Sequence, residues 1–156
     1  MKGYSILPLN ATSPPFSAAG YLWKLQLSRY KADDIFGSRV EYLSLHVLQT
    51  GLAGSAKKKI ARAKYKMAIL NAAGERVNVS ASDGFELFGD ATHGFSKFIP
   101  IITLRESDNT CLRNDMLTLE LKMEVDVSGA GARQMSLAAQ VEADNAGARD
   151  SQLKLF

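Results

Sequence analysis

A single cysteine, Cys111, stands in 156 residues. It excludes an intrachain disulfide and every metal site built on paired cysteines. It also fits a reducing compartment, so a cytoplasmic or nuclear location is expected. Histidine is scarce too. His46 and His93 are the only two, and they lie far apart on separate predicted strands, which is a poor basis for metal. No G-x-S-x-G turn offers a hydrolase nucleophile, and neither G-x-x-x-x-G-K-[ST] nor G-x-G-x-x-G offers a phosphate cradle. The carboxylates are scattered, with no pair set apart for acid–base work. Cys111 beside a histidine would make a thiol–imidazole pair, but a free cysteine more often packs as a small hydrophobe. No catalytic residue, cofactor or metal is therefore expected. No apolar run approaches the ~20 residues of a membrane span, and residues 1–16 lack the apolar centre of a signal peptide. A soluble chain with no membrane partner follows as the expectation.

What the sequence has in quantity is alternation. Leu22, Lys24, Gln26 and Ser28 interleave with Trp23, Leu25 and Leu27, the period of two that marks a half-buried strand over residues 21–30. Leu43, Leu45 and Val47 fall on one face of a second strand, residues 39–49, with Ser44, His46 and Leu48 on the other. A loop rich in glycine, serine and lysine follows, from 50 to about 59. Residues 62–71 alternate again, with Ala63, Tyr65, Met67 and Ile69 on one side. Ala72-Ala73-Gly74-Glu75 reads as a hairpin turn, and 76–80 pairs back with Val77 and Val79 inward. Short extended stretches are expected at 85–88 and 98–103. Residues 116–127 alternate throughout, Leu117 to Val127 against Thr118 to Asp126. Before all of these, Pro8, Pro14 and Pro15 leave room only for a short edge strand near Tyr4–Leu7. Several strands separated by turns predict an all-β antiparallel sandwich. Its expected extent is residues 1–128. Residues 129–156 are expected to be a Gly/Ala-rich tail, with helix formers at 134–143 read as a short, frayed helix.

Several strings resemble the MATH family, the meprin-and-TRAF-homology module: Ser13-Pro14-Pro15-Phe16, Trp23 within GYLWKLQL, YLSLHVL at 42–48, AKYKMAILNAAGE at 63–75, HGFSKFI at 93–99 and LRNDMLTLELKMEV at 112–125. They occur in the family's order from Ser13 to Val127, and the pattern is most similar to the speckle-type POZ branch. The resemblance implies a TRAF-like sandwich of seven to eight strands. It also implies a groove that binds extended, Ser/Thr-containing peptide segments of other proteins, partly by strand addition. Carried over by position, the groove falls on His46, Tyr65, Phe85, Leu87, Ala91, Thr92, His93 and Phe95. The chain departs from the family where His93 replaces a tryptophan, Ala91-Thr92 a lysine–aspartate, His46 an aromatic residue and Leu87 another. In many relatives a BTB domain follows and recruits a ubiquitin ligase. The residues after Val127 are too few for one, so an adaptor role would need it elsewhere.

The residues themselves leave alternatives open. Tyr65 and Phe95 suit a core as well as a groove, and His46, Phe85 and Leu87 suit an ordinary surface or sandwich filling. One alternative function is a structural or self-associating sandwich whose groove has degenerated. A nucleic-acid surface on Lys57, Lys58, Lys59, Arg62, Lys64 and Lys66 is a third reading. It is disfavoured because no aromatic side chains interleave on that face. The oligomeric state is not legible.

Overall fold

The computed structural model describes residues 10–33, 35–52, 60–71, 73–89, 91–104, 112–113, 116–127, 131–142, 150–152 and 154–155. In chain order the strands are β1 (Asn10–Thr12), β2 (Phe16–Ala18), β3 (Tyr21–Asp33), β4 (Arg39–Leu52), β5 (Arg62–Leu70), β6 (Arg76–Ala81), β7 (Glu86–Leu87) and β8 (Thr92–Pro100). A four-residue helix, α1 (Ile101–Leu104), precedes β9 (Leu112–Arg113), β10 (Met116–Val127), β11 (Gly131–Glu142), β12 (Asp150–Gln152) and β13 (Lys154–Leu155). They form two sheets, β12-β1-β3-β4-β8 with β2 beside β3, and β13-β11-β10-β5-β6 with β7 beside β5 and β9 beside β10. All pairings are antiparallel except β1 with β12. The chain is the all-β sandwich that its alternation predicts. Among the described residues no helix is long and apolar enough to cross a membrane.

The core is the sum of the inward parities. Trp23, Leu25 and Leu27 of β3 and Leu43, Leu45 and Val47 of β4 face Ala63, Met67 and Ile69 of β5 and Leu117, Leu119, Leu121 and Val125 of β10, all essentially sealed from solvent. Each such aliphatic side chain contributes on the order of 1.5–3 kcal/mol by leaving water. Ser13 and Ser44 are the buried polar side chains among the described residues, and Ser13 sits between β1 and β2. The Ser13 hydroxyl accepts the Leu25 N–H at 2.9 Å while its own N–H reaches the Leu25 carbonyl at 2.8 Å. Pro14 and Pro15 have no N–H to continue that ladder, so β1 stops there.

The structure corrects the sequence reading in four places. Residues 131–142 are a strand paired along all of β10, from Val127↔Gly131 to Met116↔Glu142, in place of the expected tail helix. The second sheet therefore extends past residue 128. The propensity of QMSLAAQVEA for helix yields to tertiary pairing: Met135 and Leu137 pack on the core and Ala139 is buried within it, at spacing two. The extended stretch expected at 98–103 is instead the end of β8 followed by α1. Val79 is not inward. A register shift between Ile69 and Leu70 places Asn78 opposite Ile69, so Val77 and Asn78 turn toward the interior and Val79 toward solvent. Phe85 lies outside β7, which holds only Glu86 and Leu87. The Asn71–Glu75 turn is formed as expected, with Gly74 at φ 80°. The edge strand expected near Tyr4–Leu7, the lysines at 57–59 and Cys111 lie outside the described residues.

Candidate functional site

β8 decides where the expected groove residues go. His93 pairs with Val47 and Phe95 with Leu45, so both side chains share the inward face of β4. They stand at the mouth between the sheets, beside β7. Thr92 pairs with Leu48 and Gly94 with His46, which puts Thr92 and His46 on the outer face of the first sheet. The approach at Gly94 is close: a Cβ there would come within 2.6 Å of the His46 Cα. Ala91 and Thr92 are exposed at the start of the strand.

At the mouth the aromatic rings form a continuous cluster. Phe88 is buried with its ring edge-on to Trp23, centroids 5.1 Å apart, and 4.5 Å from His93. Tyr65 lies 6.1 Å from Phe88 and 5.7 Å from Phe95. A polar chain closes the mouth over these rings. The Tyr65 hydroxyl donates to the Glu86 carboxylate at 3.2 Å, and Glu86 Oε2 lies 2.8 Å from His93 Nδ1. His93 Nε2 in turn lies 2.6 Å from the Leu87 carbonyl oxygen. Both imidazole nitrogens therefore face oxygen acceptors. Burial, then the charge of Glu86 and the hydrogen bond to it, push the Tyr65 phenol well above its ordinary range. Tyr65 is a neutral donor at any ordinary pH.

Of the eight residues, the structure brings Tyr65, His93 and Phe95 together. Phe85 and Leu87 belong to the outer side of the second sheet. Leu87 pairs with Arg62 and is exposed, and the guanidinium of Arg62 and the ammonium of Lys64 sit 4.7 and 5.3 Å from the Phe85 ring centroid. His46 is on the far face of the first sheet, away from His93. Sequence reasoning missed Glu86, Phe88 and Asn78. Glu86 was legible by parity, since it has the opposite face from Phe85 and Leu87. Asn78 was not, because its inward turn depends on the register shift. Its Nδ2 donates to the Phe98 carbonyl at 2.7 Å and ties β6 to β8 across the layers.

Apart from that bond, β8 has no strand on its second edge among the described residues. Edge backbone of this kind is a template for another strand. No three His, Cys, Asp or Glu side chains gather among the described residues to hold a metal. A family model for the MATH domain matches residues 3–123. The chain belongs to the MATH family. MATH domains are protein-interaction modules and not enzymes, which agrees with a free edge strand beside an aromatic mouth. No curated protein matches the chain.

His46 offers a separate test of this placement. Half-burial on the outer face disfavours its imidazolium and lowers its pKa from the ordinary 6.5. The unfolded chain then binds more protons than the native MATH domain in acid, so stability rises with pH across this window. The neutral ring's contribution is complete above about pH 7 and is lost as pH falls through 6.5 toward the lower native value. His46→Gln should therefore lose less stability than wild type between about pH 7.5 and 5. Urea midpoints at each pH measure it, and parallel curves for the two proteins would mean that the ring is solvated in the native state.

Proposed function

We propose that this MATH domain binds an extended segment of a partner protein along the open edge of β8. The segment adds as a strand, and side chains at spacing two reach the mouth formed by Tyr65, His93 and Phe95. The observation that carries this is the position of β8: last in its sheet, unpaired on one side among the described residues, and holding two of the three mouth residues. Strand addition supplies main-chain hydrogen bonds, and the mouth supplies side-chain selectivity. The Glu86 carboxylate favours a segment with hydroxyl or amide donors, in keeping with Ser/Thr-containing peptides. A role as the substrate-recognition part of a ubiquitin-ligase adaptor in cytosol or nucleus rests on the motif resemblance, closest to the speckle-type POZ branch, and on the lone cysteine.

A peptide array screened with the purified chain, followed by fluorescence polarisation, tests the reading. Phe95→Ala and His93→Ala should each weaken the selected peptides by roughly 1–2 kcal/mol, as central contacts do. Tyr65→Phe, which keeps the buried ring and removes only the hydroxyl, should weaken those peptides that approach Glu86. His46→Ala should leave affinity unchanged, since that side chain lies on the other face. Equal affinity for wild type and the first three variants would place the interaction elsewhere. Failure to bind any peptide, with concentration-dependent dimerisation, would assign the β8 edge to self-association.

A further inference from the structure

The outer face of the second sheet is a ladder of opposite charges with one rung that breaks the rule. Arg62 of β5 meets Asp126 of β10 at 2.8 Å, Lys64 meets Glu124 at 3.0 Å, and Arg76 of β6 meets Glu120 at 2.7 Å. Between them Lys66 stands directly opposite Lys122. The flanking strands add no acid at that level, because Ala81 is opposite Lys66 and Ser136 opposite Lys122. Like charges directly opposite on a ladder destabilise it. The neighbouring carboxylates cannot relieve the rung, since they are engaged. Glu120 accepts two bonds from the Arg76 guanidinium, at 2.7 and 3.2 Å. Glu124 accepts from Gln134 at 3.0 Å and from Lys64, and these two bonds hold its carboxyl below the ordinary range. Neither Lys66 nor Lys122 has an acidic partner within ion-pair distance among the described residues. A cavity of about 390 Å³ opens over the rung, lined by Lys64, Lys66, Lys122, Glu124, Gln134 and Ser136 among others, with Glu124 already engaged by Lys64 and Gln134.

We propose that the Lys66–Lys122 rung is a binding site for a single phosphoryl-type dianion, held between the two ammonium groups with the Ser136 hydroxyl as a neutral donor. Two positive charges at one level match one dianion, and charge-assisted bonds to phosphate oxygens are strong. A nucleic-acid backbone is a poorer fit. Running along the strands, its successive phosphates would meet Glu120 on one side of Lys122 and Glu124 on the other. The site lies on a different face from the β8 edge and stands whether or not a peptide binds there.

The first test is thermal melting of the purified chain in inorganic phosphate against chloride at equal ionic strength. Wild type should gain roughly 2–4 °C in phosphate, the range expected of a ligand well above its dissociation constant. Lys122→Glu, which restores an opposite-charge rung with Lys66, should melt at least as high as wild type in chloride and show no phosphate gain. Lys24→Glu, an equal change of net charge on the other sheet, should keep the gain. No gain in wild type, or the same gain in all three proteins, overturns the site, the latter because phosphate then acts by general exclusion from the surface. Calorimetric titration of wild type separates the sources. Tighter binding of an acetylated Gly-phosphoserine-Gly peptide than of inorganic phosphate identifies a modified side chain of a partner. Equal affinities identify the free anion, and no heat from either probe overturns the proposal.

Discussion

Trp23→Ala is expected to cost roughly 3–5 kcal/mol of stability and to lower the thermal midpoint by on the order of 10 °C. Trp23 is completely buried near the open end of the β3–β4 hairpin, opposite Gln49. Its ring stands edge-on to Tyr21 at 6.0 Å and to Phe88 at 5.1 Å, so it links the first sheet to the floor of the aromatic mouth. The indole N–H donates to the Ala18 carbonyl at 3.2 Å, which fastens β2 beside β3. Truncation removes the packing and leaves that buried carbonyl without its donor, and the two losses act in the same direction. Trp23→Phe keeps much of the ring and loses the bond, so its deficit should be distinctly smaller. Circular dichroism melts measure both. A midpoint for Trp23→Ala within about 2 °C of wild type, less than 1 kcal/mol at this size, would falsify the placement of Trp23 as the anchor between the layers.

Gly94→Ala is expected to cost about 3 kcal/mol, the upper end of overpacking effects, although it adds one methyl group. That methyl would meet the Leu45 carbonyl oxygen and lie within 2.6 Å of the His46 Cα. Both obstacles are main chain, so no rotamer change makes room and the β4–β8 pairing must part locally. The strand that moves is the one that holds His93 and Phe95, so partner binding should fall with stability. The cause can be isolated. His46→Gly in the same chain should not rescue Gly94→Ala, because the imidazole is not what stands in the way. Urea denaturation of the single and double variants decides it, and a double variant restored to wild-type stability would show that the clash is with the side chain.

The long strands were legible because their burial is one-sided. Residues 21–30, 62–70 and 116–127 write the two faces of a sheet directly into alternating apolar and polar positions, and the structure seals Trp23 to Leu27, Ala63 to Ile69 and Leu117 to Val125 at that parity. β11 carries the same signal in Met135, Leu137 and Ala139, but small and polar helix formers mask it. Its conformation is set by β10 beside it and not by its own propensity. Where register shifts, parity fails. The irregularity between Ile69 and Leu70 turned Asn78 inward, and no local pattern encodes such a shift. The site depends on how the strands pair. The resemblance grouped His46 with His93, whereas the pairing of His46 with Gly94 sends its ring to the opposite face. The link from Tyr65 through Glu86 to His93 joins three strands, and contacts of that kind become visible only once the strands are docked.

The parallel partner of β1 is β12, and the partner of β13 is β11, so residues 150–155 leave one sheet and join the other within a few positions. Loop-closure entropy then favours one order of assembly. The β3–β4 and β10–β11 hairpins close from nearby sequence and can zip early, since little loop entropy opposes them. Pairing Asn10–Thr12 with Asp150–Gln152 closes nearly the whole chain into one loop and comes late. Until then the β1 and β11 borders stand open as templates for foreign strands.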